Sequence, residues 1–247
     1  MEAARQIRDA VTAVAQLRQA GLATPALGVA VGQVKQLQSR RFAGTYVDLL
    51  SGSEYAAAAR FFLEELYSDR DYADRDVQFA RIAGTIEKLF PAQVVETAVA
   101  LAKLHAATEA LDQQLGLAWL APDVGPRSPA ERYVAAWRSV GRRPEREAQL
   151  NVVLEIGVQM ARLTRTPGLR MMLRMMRAPA AAAGMAALQR FLEIGFDTFG
   201  GMARRPGGAE RFLAIIRERE SALITALFED ELVACGTSLE HTLGQAR

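Results

Sequence analysis

Apolar residues recur along this chain at intervals of three and four, the spacing that lines one face of an α-helix. Ile7, Val11, Val14 and Leu17 form such a row near the N-terminus, and Tyr55, Ala59, Phe62 and Leu66 form another. Phe79, Ile82, Ile86 and Leu89 repeat the pattern. Val94, Ala98, Leu101, His105 and Thr108 continue it, and Phe212, Ile215, Leu223 and Leu227 mark a late helix. No segment sustains the period-2 alternation of a half-buried strand, and β-branched residues are sparse. The pattern predicts an all-α bundle with no significant sheet.

Helix starts are written into the sequence. Proline suits the first helical position, where no N–H is needed, and Ser, Thr or Asp just before it can cap the free donors. Thr24-Pro25, Ser128-Pro129 and Thr166-Pro167 fit this rule, Ser128 to Glu131 reads as a capping box, and Asp71 opens an acidic start. Pro91, Pro144 and Pro179 are expected to open further helices. The resulting expectation is nine or ten helices, over roughly 3–21, 25–49, 54–67, 72–89, 92–118, 129–140, 144–164, 167–177, 179–200 and 208–228, with a short tail helix. Breaks are expected at Gly200-Gly201 through Gly208 and at 121–127. The chain therefore reads as one helical domain over 1–247, or as two packed helical halves, 1–120 and 128–247, joined by 121–127.

Composition narrows the classes. With 247 residues, half of them apolar, the chain can build a substantial core. Its one cysteine, Cys235, excludes an internal disulfide framework and any cysteine-based zinc site. No uninterrupted apolar run is long enough for a transmembrane segment, and no secretory leader is recognisable, so a cytoplasmic location is expected. The net charge of +2 is too small to argue for nucleic acid, but its distribution is uneven. Residues 1–120 carry 12 basic and 14 acidic side chains, and residues 121–247 carry 18 and 14. Nine of those arginines fall between Arg138 and Arg177, against Glu145, Glu147 and Glu155.

Residues 61–67 read FFLEELY, from Phe61 through Tyr67. This heptapeptide resembles a family of uncharacterised bacterial proteins known by that motif. Residues 38–42 and 45–50 are similar to that family, as are Asp74-Arg75-Asp76 and Leu89-Phe90-Pro91. The likeness continues in Leu104-His105, Leu111-Asp112 and the stretch from Gly168-Leu169 to Gly195-Phe196. It implies a helical bacterial protein and brings no activity with it. By packing alone, Phe62, Leu63 and Leu66 share one side of a helix, which makes the motif either a core-forming helix or the wall of a ligand or partner groove.

Two further features are candidates for chemistry. His105, Glu109 and Asp112 share a helix face, which suits a hydrogen-bonded half-buried histidine, a haem or metal ligand, or an acid/base. No catalytic set and no complete metal site is legible: a carboxylate-bridged di-iron bundle needs paired Glu-x-x-His motifs, and the other histidine, His241, lies in the tail. The Asp69 to Asp76 run lacks the glycine and closing glutamate of a calcium loop and reads as helix capping. The segment 168–177 is the more distinctive. Arg170, Arg174 and Arg177 form a basic row beside Met171, Met172, Met175 and Met176. Methionine adapts to varied apolar surfaces, so the segment fits a core or dimer interface, a partner or ligand groove, or membrane contact.

The leading expectation is a non-enzymatic helical protein, forming a homodimer and binding a hydrophobic small molecule or a protein partner through Phe61, Phe62, Tyr67, His105, Arg170, Arg174 and the four methionines. One alternative is a haem- or metal-dependent enzyme or sensor built on His105, although the sequence names no cofactor. The other is attachment to a membrane surface or anionic polymer through Arg138–Arg177. Nucleic acid is disfavoured there because Lys is nearly absent and no helix-turn-helix is evident.

Overall fold

Local capping chemistry sets where the helices begin. In the computed structural model, which describes residues 2–66, 72–121 and 128–246, the Ser128 hydroxyl accepts the Glu131 N–H at 3.2 Å. Pro129 follows at the first helical position. The Glu231 carboxylate caps the last helix in the same way, accepting the Ala234 N–H at 2.9 Å. Thr24 precedes Pro25 as expected, but its hydroxyl makes no capping bond. The expected start at Asp71 lies outside the described residues.

In chain order the helices are α1 (Glu2–Ala23), α2 (Pro25–Thr45), α3 (Val47–Ser51) and α4 (Ala56–Phe61), followed by a π-helical turn (Phe62–Leu66). Next come α5 (Ala73–Leu89), α6 (Ala92–Trp119), α7 (Pro129–Val140) and α8 (Arg143–Leu163). The chain ends with α9 (Leu169–Met175), α10 (Arg177–Ala182), α11 (Ala186–Ala203), α12 (Gly208–Glu229) and α13 (Leu232–Gln245). The described residues contain no strand, and the protein is all-α.

The helices are more numerous and shorter than the nine or ten expected, for identifiable reasons. The expected 25–49 helix divides at Tyr46, whose side chain is fully buried. The 54–67 helix starts as α4 and widens into the π turn. The expected start at Thr166-Pro167 moves to Leu169, because Gly168 turns the backbone left-handed at φ +80°. Conversely, α11 runs straight through Gly200-Gly201, and the break falls after Ala203, at the left-handed Gly207. Only the residue preceding 122–127 is described in the expected linker.

The chain packs into two compact units, each assembled from three segments. The first comprises residues 1–15, 70–106 and 152–214. One of its cores is made of small side chains: Ala4, Ala10, Ala83 and Ala102 surround the fully buried Ile7, with Phe79 against them. Its α11 buries Leu188, Phe191, Phe196, Phe199 and Met202. The second unit comprises residues 16–69, 107–151 and 215–247. Its core joins Val34, Leu115, Val134 and Leu227 to the aromatic rings of Trp119, Tyr133 and Trp137. In this unit α2 and α13 approach so closely that a Cβ on Gly44 would lie 1.9 Å from the Thr242 carbonyl oxygen. No helix among the described residues is long and apolar enough to cross a membrane.

Candidate functional site

The two phenylalanines of the aromatic heptapeptide lie in the interior of the second unit, while Glu64 is exposed. Phe61 and Phe62 are buried, and the Phe62 ring stacks on Phe42 with centroids 6.4 Å apart. Phe42 in turn packs on Tyr46 at 4.4 Å, and Phe61 meets Phe62 edge-on at 6.3 Å. The two phenylalanines therefore supply core area rather than an accessible binding face. Tyr67 lies outside the described residues.

His105 belongs to the first unit, where its Nε2 lies 3.0 Å from Asp76 Oδ2. The carboxylate is nearly inaccessible, so the ring N–H donates to an oxygen that water cannot readily reach. Glu109 and Asp112 are engaged elsewhere. Lys35 Nζ donates to Glu109 Oε1 at 2.6 Å, and Gln38 Nε2 donates to Asp112 Oδ1 at 3.1 Å. Among the described residues no group of three His, Cys, Asp or Glu side chains could hold a metal ion.

Sequence reasoning missed a set of buried charges in the second unit. Arg41 and Glu220 pair at 2.5 Å with both side chains about 8% exposed, and the Tyr46 hydroxyl donates to the same Glu220 oxygen at 2.9 Å. Arg146 is buried with its guanidinium 4.1 Å from the Trp137 ring centroid. Burial pushes the Asp112 carboxyl above its ordinary range, against the opposing pull of Lys35 and Arg146. It also pushes the Tyr133 hydroxyl up to about 12. The signal available in the sequence was a charged residue inside an apolar row, such as Asp112 between Leu111 and Leu115, and it did not reveal a partner.

The Met/Arg segment is on the surface. Every residue of α9 is at least partly exposed, with Met171 at 68% and Met175 at 71%, and Met176 just beyond is also exposed. Met172 is half-buried. Arg170 is held by Asp197 at 2.7 Å and Arg177 by Glu193 at 2.7 Å, while Arg174 is exposed. Beside α9 a shallow open cleft is lined by Thr164, Arg165, Arg170, Phe196, Asp197 and Arg204, among others.

Three further arginines of the run, Arg138, Arg142 and Arg143, are tied to carbonyls or glutamates. Arg138 donates to the Leu227 carbonyl at 2.7 Å and to that of Asp230. Arg142 pairs with Glu145 at 2.9 Å, and Arg143 with Glu147 at 2.8 Å and with Glu229.

These features define an all-α protein that presents two exposed methionines, Met171 and Met175, on the arginine-bearing helix α9. The chain belongs to the family described as Domain of unknown function (DUF8198), whose family model matches residues 17–233. No curated protein and no solved structure matches the chain.

Proposed function

We propose that this is a non-enzymatic helical binding protein of the cytoplasm that receives an acidic amphipathic helix of a protein partner on α9. One observation carries the reading: a helix with no fully buried residue presents Met171 and Met175 at about seven-tenths exposure. Keeping large apolar side chains in water costs free energy that a partner's apolar residues recover, and thioethers adapt to varied shapes. Arg174, exposed on the same helix, favours acidic side chains on the incoming helix. Of the two occupants expected from the sequence, the partner helix fits this open surface better than an enclosed hydrophobic small molecule. On this reading FFLEELY is a packing signature of the family rather than its binding face.

The test is a titration of a labelled synthetic helix carrying Leu and Phe anchors at i, i+3, i+4 and i+7 with Glu at the other positions. A control peptide replaces each Glu with Lys. The acidic peptide is expected to bind and the basic one not to. Met171→Gln/Met175→Gln is expected to weaken binding by about tenfold or more without changing the melting temperature. A homodimer that occupies α9 itself would appear as a dimer in light scattering that the same double variant dissociates, and it would overturn the partner reading.

A further inference from the structure

The cleft next to α9 has a charge composition that packing does not explain. Arg165 leaves the turn after α8, Arg170 is on α9 and Arg204 follows α11, so three arginines from separate segments line one depression. Among the described residues the one carboxylate lining it is Asp197, which leaves three positive charges against one negative, a net of +2. Asp197 is committed to Arg170. Arg165 and Arg204 have no ion-pair partner among the described residues. Like charges brought together repel, and a bound anion of matching charge removes that cost. Guanidinium forks suit the tetrahedral oxygens of a phosphoryl group better than they suit a spherical ion.

The other walls set limits on the occupant. Thr164 spends its hydroxyl proton on the Ala161 carbonyl at 2.8 Å, so anion recognition rests on the arginines. Gly200 faces Thr164 without a side chain, where a Cβ would come to 3.7 Å, and Phe196 adds apolar lining. We infer that this cleft binds a phosphoryl dianion, either inorganic phosphate or the phosphate of a small monoester whose organic body rests against Phe196. The assignment stands apart from what docks on Met171 and Met175.

Calorimetric titration of the full chain with inorganic phosphate and with phenyl phosphate, in chloride buffer, tests it. Saturable binding of at least one is expected, weakening as salt rises. Tighter binding of phenyl phosphate assigns the cleft to a monoester, and equal binding assigns it to free phosphate. Arg165→Gln/Arg204→Gln is expected to weaken binding by about tenfold or more. Asp197→Asn, which removes the opposing charge, is expected to tighten it, and Met171→Gln/Met175→Gln to leave it unchanged. No saturable binding, equal binding by the double arginine variant, or weaker binding by Asp197→Asn would overturn the assignment.

Discussion

Arg41, Glu220 and Tyr46 share one buried set of hydrogen bonds, and their mutual dependence is the main energetic fact at the residue scale. Glu220→Gln removes the buried carboxylate that Arg41 pairs with at 2.5 Å, an expected loss of about 3–5 kcal/mol in urea unfolding. The double variant Arg41→Met/Glu220→Met removes both charges and is expected to lose much less than the two single changes summed. Additive losses would show that the pair is not coupled. Asp112 behaves differently, because burial raises its carboxyl above the ordinary range. The folded chain then keeps that proton to higher pH than the unfolded chain does. Between the two values folding takes up a proton, so this group's contribution to stability falls as pH rises and levels off once the folded carboxyl ionises. Asp112→Asn keeps an acceptor for Gln38 and removes the slope. Its stability relative to the parent is expected to grow from acid to neutral pH, and a flat difference would contradict the burial account.

Glycine positions separate the helix crossings from the open helix faces at the scale of elements. Gly44→Ala drives a methyl group into the Thr242 backbone and is expected to cost about 3 kcal/mol, because neither α2 nor α13 can move without disturbing their shared core. Gly32 lies in the same helix, where an added methyl group would meet nothing within 4 Å, so Gly32→Ala is expected to gain about 0.5–1 kcal/mol from helix propensity. Thermal melts of the two variants should move in opposite directions. The elements themselves were largely legible in sequence, since Ser128-Pro129 and the apolar rows act locally. The failures have tertiary causes. Gly200-Gly201 looks like a break, but the buried Phe196, Phe199 and Met202 hold α11 together across it. Tyr46 looks like helix interior, but its hydroxyl bond to Glu220 accompanies the end of α2.

Legibility falls again at the scale of the whole molecule. Composition identified the Met/Arg segment, yet the same residues serve equally well in a core, and only the observed exposure of Met171 and Met175 distinguishes a surface from an interior. The arginines illustrate the converse. Arg138, Arg143 and Arg165 look alike in sequence, but the first two are tied to carbonyls or glutamates and the third opens onto the cleft. His105 and the heptapeptide drew attention by residue type, and the structure sets His105 against Asp76 and Phe62 against Phe42. Binding through α9 is the central claim, and anisotropy titration of the acidic amphipathic peptide against the parent chain and Met171→Gln/Met175→Gln tests it most directly. The account predicts saturable binding by the parent, weakened about tenfold or more in the variant at an unchanged melting temperature. Equal affinity for the two proteins, or no binding by the parent, would contradict it.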